Sequence, residues 1–332
     1  MQLNSTHLNQ ANLAIVVVTF KRQELLQVLM DSIKNLTIHP TYLVVVDNEN
    51  SQDTKVIVEN TQSELSDVNV NYVPMTENTG GAGGFSKGVE VAYNLGAEWI
   101  WVMDDDVKVF PEAIEKLEAW IERAVENDTR AIQVCRKNFD GSDFYWQYDF
   151  KNHLGIPNPI SPSGFADGET FKKINTMCFE GGLFHRSIVA ENGLPDSRFF
   201  IYWDDTMYGY LASKITQPIL INETLMARTR TLDNVKIGKV RRLNSTSDMT
   251  RYYIMRNRGY MTHYFKLHGD YRPLTFTFGT FLTLVKETIR LGFSENFFKS
   301  LKILLNGMKD GKKARKDKSW TPMPKLEEIG TK

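Results

Sequence analysis

Short runs of apolar, largely β-branched residues alternate with amphipathic stretches along the first hundred positions. Residues 14–20 (AIVVVTF) predict a buried strand, and Leu25, Leu29, Ile33 and Leu36 recur behind it at helical spacing. Residues 42–46 (YLVVV) predict a second strand that runs into Asp47-Asn48-Glu49-Asn50-Ser51. A helix around residues 54–65, a strand over 68–74, a glycine-rich segment, a helix over 85–95 and a strand over 98–103 follow. Strands that are apolar throughout, and not at alternate positions only, are buried on both faces. Interleaved with helices, they predict an α/β fold with a mostly parallel sheet flanked by helices.

Beyond the strand at 98–103 the pattern weakens. Residues 139–173 are rich in Gly, Pro, Ser and aromatics and read as long loops, whereas helical character returns from Asp248 onward. The chain is therefore expected to divide into a first domain over 1–245 and a helical, basic C-terminal extension over 246–332. The net charge of zero hides a segregation. Residues 228–318 hold 21 Lys and Arg against 7 Asp and Glu, and the remainder carries the opposite excess. Such a basic third predicts an anionic partner, either a membrane surface or a polyphosphate substrate. No finger spacing or RNA-binding aromatic signature accompanies it, so nucleic acid is not expected.

Composition adds limits. With 42% hydrophobic and 24% charged residues among 332, the chain can bury a sizeable core. Cys135 and Cys178 stand too far apart for a zinc site and do not amount to a disulfide framework, which fits a reducing compartment. The N-terminal residues lack the basic and apolar regions of a secretory signal, and no apolar run is long enough to span a bilayer. A cytoplasmic protein is expected, peripheral at the inner membrane face if the basic third binds lipid. The C-terminal segment, mixing Phe and Leu with Lys, suits surface attachment, or a helical pair packing on the first domain or on a second subunit.

In open parallel sheets, ligands gather at the carboxyl ends of strands, and the polar clusters lie there. Asp104-Asp105-Asp106 follows the apolar EWIWVM; on an extended segment Asp104 and Asp106 share one face, and converging carboxylates suit a hard cation with oxygen ligands. The competing reading is an acidic turn that caps the helix near Pro111. The segment Thr79-Gly80-Gly81-Ala82-Gly83-Gly84 would let backbone approach a phosphate, with the following helix offering N–H groups to the anion; otherwise it is a flexible loop. It fits neither the dinucleotide fingerprint nor the NTPase phosphate loop. Thr19, Arg22 and Asp47 stand at the ends of the first two strands, although an isolated Asp47 would be an ordinary turn residue. Farther on, Trp203-Asp204-Asp205, preceded by Glu180-Gly181-Gly182, places carboxylates beside aromatics. This pattern fits a general base next to a sugar-stacking wall, or a capped helix with a core aromatic.

Taken in order, VVVTFKR, VVVDNENSQD, ENTGGAGGFSKG, WVMDDDV, EGGLFHR and FIYWDDTMYGYLA resemble the inverting GT-A glycosyltransferases over residues 13–260. The likeness is greatest to the branch holding galactofuranosyltransferases and rhamnosyltransferases of bacterial surface glycans. The resemblance implies a GT-A-type sheet that uses a nucleotide-sugar donor, first of all UDP-galactofuranose, and a glycan or lipid-linked acceptor. It implies Thr19, Arg22, Asp47 and Asp105 beside the nucleotide and Asn78, Gly80, Gly81, Gly83 and Gly84 beside the donor. It further implies Asp104 and Asp106 on a Mn2+ or Mg2+ ion, Asp205 as base with Asp204 beside it, and Trp203, Gly181 and Gly182 facing substrate. Two departures are visible. The branch usually supplies a metal-binding histidine about two dozen residues after Trp-Asp-Asp, where this chain reads MARTRTLDN, and an acid two positions after the second Asp, where it has Met207. Either two carboxylates hold the metal with diphosphate and water, or Arg228 or Arg230 replaces part of its charge, or the requirement for metal is weak. A sugar-1-phosphate nucleotidyltransferase would need a glycine-rich loop after the first strand, where TFKRQ stands. A non-catalytic nucleotide-sugar or glycan-binding partner is the other alternative.

Overall fold

The computed structural model describes residues 12–144, 149–158, 164–230, 234–237, 241–244, 247–292 and 296–326. In chain order, β1 (Leu13–Thr19), α1 (Gln23–Lys34), β2 (Tyr42–Asp47), α2 (Gln52–Glu64), β3 (Asn69–Pro74), α3 (Gly80–Asn94) and β4 (Trp99–Asp104) repeat a strand–helix unit. Then come β5 (Val107–Val109), α4 (Ala113–Glu126), β6 (Ala131–Lys137), the short strands β7 (Asp149–Lys151), β8 (Ile156–Asn158) and β9 (Phe171–Lys173), β10 (Gly182–His185), α5 (Arg186–Asn192), α6 (Asp204–Ala212) and β11 (Ile219–Arg228). A hairpin of β12 (Asn234–Ile237) and β13 (Arg241–Asn244) precedes α7 (Asp248–Leu267), α8 (Pro273–Leu291) and α9 (Phe297–Lys316).

The main sheet runs β3-β2-β1-β4-β10-β6-β11-β5, with β9 also paired to β11. The first four strands are parallel, β10 runs antiparallel between β4 and β6, and β11 is parallel to β6. The valine run of β1 is central and buried at every position. Leu13, Ile15 and Val17 face Leu26, Leu29 and Ile33 of α1, while Ala14, Val16 and Val18 face Phe85 and Val89 of α3. The mostly parallel α/β sheet with flanking helices is thus the architecture that the unbroken apolar strands predicted. The region 139–173 does contain structure beyond loops, the β7–β8 hairpin and β9.

The C-terminal helices are tied to this unit by a third core. Phe150, Phe199, Trp203, Tyr210, Phe265 and Phe276 pack together, joining α6, α7, α8 and the β7–β8 hairpin. Arg258 of α7 is buried there without a carboxylate and donates to the carbonyls of Gly155 (2.6 Å) and Leu154 (2.7 Å) and to Thr280 (2.9 Å). Burial depresses its pKa to about 9. Helices α7 and α9 touch backbone to backbone, since a Cβ on Gly259 would lie 2.3 Å from the Gly311 carbonyl oxygen. The expected division at 245/246 falls outside the described residues. Among the described residues no helix is long and apolar enough to cross a membrane.

Candidate active site

The carboxyl edge of the parallel strands carries the acidic triplet. Thr19 Oγ1 at the end of β1 donates to Asp105 Oδ2 (2.8 Å), and Arg22 Nη1 donates to Asp105 Oδ1 (3.0 Å). Arg22 also lies 3.7 Å from Asp106 Oδ2, which pairs with Arg230 Nε. Only Asp104 belongs to the strand; Asp105 and Asp106 form the turn into β5, so strict alternation does not extend across the triplet. Asp104 is half-buried, and burial, then the charges of Asp106 and Asp105, lift its pKa to about 7 against the pull of Arg22 and Arg228.

Two further arginines close the site, and the sequence pattern alone did not assign them a common partner. Glu180, buried just before the Gly181-Gly182 step, pairs with Arg136 and takes both Nε (2.7 Å) and Nη2 (2.8 Å) of Arg228. The guanidiniums of Arg136 and Arg228 sit over the Phe144 ring at 3.7 and 5.3 Å. Burial and the Arg228 charge lower the Arg136 pKa to about 9. Four arginines thus interleave with Asp105, Asp106 and Glu180 around Asp104.

Asp47 is wholly buried and its oxygens are engaged by the Glu49 (2.9 Å) and Ser51 (2.8 Å) amides and the Tyr72 hydroxyl (2.8 Å), so its carboxylate shapes the loop after β2. The neighbouring Asn48 reaches across, donating to the Gly80 carbonyl (3.1 Å) and accepting from Thr79 Oγ1 (3.1 Å). Asn78 accepts from the Gly80 amide (2.9 Å). The glycine run, read from sequence as a loop before a helix at 85, is the first turns of α3 itself. Gly83 and Gly84 are there for close approach: a Cβ on Gly84 would lie 2.5 Å from Val18 Cγ1, and one on Gly83 2.3 Å from the Thr79 side chain. Gly80, at φ +70, packs on the Phe200 carbonyl, which also accepts from the Ala82 amide (3.0 Å). Gly81 alone in the run meets nothing within 4 Å of its absent Cβ and is the member that a ligand can approach. Gly181 and Gly182 are buried where β10 turns in between β4 and β6; a Cβ on Gly182 would lie 2.7 Å from the Cys178 carbonyl oxygen, so their smallness serves sheet packing.

The acid pair stands at the start of α6 behind a strained turn. Phe200, Tyr202 and Trp203 have φ of 63, 73 and 75°, each costing roughly 1–2 kcal/mol in a non-glycine residue. Asn257 of α7 offsets this. Fully buried, its Nδ2 donates to the carbonyls of Phe199 (2.9 Å), Ile201 (2.9 Å) and Tyr202 (2.8 Å), about 1 kcal/mol apiece. Asn257 lies 55 to 58 residues from these carbonyls in sequence and was not a predicted site residue; the polar RNR within the helix is its only local trace. Trp203, at the N-cap position that the sequence offered to the aspartates, is buried, its indole N–H donating to the Ile254 carbonyl (3.1 Å). It is therefore a core ring in this structure, and the open aromatic at this corner is Tyr202.

Asp204 is buried and Asp205 half-buried, and among the described residues neither has an ion-pair partner. Burial, then the Asp205 charge, raises Asp204 to about 8; burial raises Asp205 too, opposed by the Thr206 amide (2.5 Å) and hydroxyl (3.2 Å) on Oδ1 and by the Cys178 thiol. Cys178 lies between the two acid clusters, close enough to feel Asp205, Asp104, Arg136 and Arg228 together. Cys178 and the Ala82–Phe200 hydrogen bond thus tie the edge of the sheet, the α3 N-terminus and the acid-pair turn to one another.

A model of glycosyl transferase family 2 matches residues 14–193, more than half of the chain. The chain belongs to glycosyl transferase family 2. Galactofuranosyltransferase GlfT1 of Mycolicibacterium smegmatis is 27% identical over 259 residues, 74% of this chain and 81% of that relative. Among solved structures, S. aureus TarS 1-349 in complex with UDP superposes with a TM-score of 0.56 at 14% identity, covering 91% of this chain and 80% of that one. Mannosyltransferase PcManGT from Pyrobaculum calidifontis, in complex with GDP-Man and Mn2+, gives a TM-score of 0.51 at 14% identity over 93% and 88%. These likenesses establish the GT-A fold of this family 2 glycosyltransferase.

Among the described residues no group of three His, Cys, Asp or Glu side chains is arranged to hold an ion. Asp105 is taken by Thr19 and Arg22, and Arg230 already neutralises Asp106. The Asp104–Asp106 pair still fits a hard cation, because their mutual repulsion is what a shared ion would relieve.

Proposed function

We propose that this glycosyltransferase inverts configuration, moving galactofuranose from UDP-galactofuranose to a hydroxyl of a lipid-linked or polysaccharide acceptor in bacterial glycan synthesis at the cytoplasmic face. One observation carries the proposal: the arginine-laced acidic triplet and an acid pair without an ion-pair partner among the described residues both act electrostatically on Cys178. The similarity to GlfT1 supports the choice of sugar, and the UDP complex of TarS supports the nucleotide.

In this reading Asp205 accepts the proton of the acceptor hydroxyl. The hydroxyl oxygen bonds to the anomeric carbon from the face opposite the diphosphate, and the bond to the diphosphate oxygen breaks, so that nucleoside diphosphate leaves with both electrons. Arg22 and Arg230, together with amides at the α3 N-terminus, face the accumulating negative charge. A divalent ion held by Asp104 and Asp106, with diphosphate and water completing its shell, would supply further charge neutralisation. Asp205 is suited to the base role because it is the more exposed of the pair and lacks a cation that would hold its pKa down.

The test is a thermal-shift panel of UDP-, dTDP- and GDP-sugars with and without Mn2+, followed by mass-spectrometric detection of transfer to lipid-linked acceptors. Stabilisation by UDP-galactofuranose above the other donors, with sugar transfer of inverted configuration, is the expected result. Stabilisation by dTDP-rhamnose alone would move the donor to the rhamnosyl alternative. Donor binding without transfer or hydrolysis would mark a non-catalytic binding partner.

A further inference from the structure

The outer face of α8 is apolar along most of its length. Leu274, Phe278, Phe281, Leu282, Val285 and Ile289 recur at helical spacing and all are exposed, Leu274 by 87% and the two phenylalanines by 55 and 56%. They form a stripe about 22 Å long at the helical rise of ~1.5 Å per residue. A stripe of this size on a stable surface helix marks a contact. The two helices α8 and α9 together carry a net positive charge. Residues 273–316 hold nine Lys and Arg against three Asp and Glu. On α9, Lys299, Lys302, Lys309 and Lys312 are exposed and have no ion-pair partner among the described residues, with Phe298 84% exposed at the start of the helix.

We propose that α8 and α9 form a lipid-binding face that lays the α8 stripe into the interface of an anionic bilayer, with the α9 lysines on the headgroups. The occupant has to be both apolar and negatively charged, which describes a bilayer surface rich in acidic lipid. A second copy of this chain fits worse, because a two-fold contact through α8 would bring two net positive helix pairs together. The inner side of the same helix supports a functional link. Buried Glu287 and its partner Arg290 (2.6 Å) act electrostatically on the Tyr202 hydroxyl, so the helix that beds in lipid also backs the acid-pair corner. The lipid face stands independently of the sugar and acceptor proposed above.

Sedimentation of the full chain with vesicles of phosphatidylcholine alone, or of phosphatidylcholine and phosphatidylglycerol in equal parts, tests this. Pelleting with the anionic vesicles, weakened by salt, is expected; the Phe278→Ser, Phe281→Ser double variant should lose about tenfold in partitioning while keeping its melting temperature. If that variant folds poorly, Lys302→Glu with Lys309→Glu should lose the preference for phosphatidylglycerol instead. Indifference of the wild-type chain to lipid charge, or unchanged partitioning of the variants, would overturn the proposal. So would a lipid-free dimer of the wild-type chain that the phenylalanine substitutions split into monomers.

Discussion

The two acid clusters of this site live in opposite electrostatic surroundings. Around the triplet, every carboxylate except Asp104 has a guanidinium within reach, and four arginines from three segments interleave with them. Around Asp204 and Asp205 no ion-pair partner stands among the described residues; their neighbours are backbone amides, a threonine and a thiol. The first arrangement pairs acids with guanidiniums and leaves arginine charge at the edge of the sheet, where a diphosphate would need it. The second raises basicity, which a proton acceptor needs and a charge-matched pair would lack.

The sharpest way to break the contrast is Asp205→Asn. Transfer should fall by a factor of about a thousand or more while UDP-donor affinity stays within about twofold, read from initial rates and donor titration; loss of donor binding as well would make the pair part of the donor site. Next comes Asn257→Ala, which frees the carbonyls of the strained turn. It should lower kcat roughly ten- to a hundredfold and stability by about 2–3 kcal/mol, with donor affinity nearly unchanged, checked by kinetics beside denaturant melts. On the other side, Arg22→Ala should weaken UDP binding about tenfold and leave the pH profile of kcat in place; a shifted profile would mean that the clusters are not electrically separate.

The smallest effect concerns pH. Asp204 has its pKa raised to about 8 in the fold, from an ordinary carboxylate value when unfolded. Between those values the folded state holds the extra proton, so the contribution is favourable at low pH and is lost as pH rises towards 8. Asp204→Asn should therefore match the wild-type chain near pH 4 and exceed it near pH 8, by an amount on the order of 2 kcal/mol. Equal melting curves at both pH values would show that Asp204 is ionised throughout.

The parallel half of the sheet was legible because its signal is local: β1, β2 and β4 are runs of valine, isoleucine and tryptophan that only a doubly covered strand explains. The acidic triplet and the acid pair could be found the same way, as clusters contiguous in the chain. What local pattern could not show was partnership. Glu180 draws its arginines from β6 and β11, and the acid-pair turn draws its support from α7, so neither relation has a sequence period. The glycine run shows the same limit. Sequence reports a missing Cβ at each position, but whether a ligand or a valine of the next strand uses the space depends on what lies opposite. At Gly84 it is Val18, and at Gly81 it is open solvent.

The carbonyl of Phe200 takes its hydrogen from Ala82 and belongs to the peptide that opens the turn before the acids. One rigid plane of atoms thus sits with an edge in each compartment. A nucleotide that settled on the α3 amides would bear on that plane, and through it on the turn that carries the proton acceptor. Donor first and acceptor second is the order of addition this connection predicts, and product-inhibition patterns are where that order would be read.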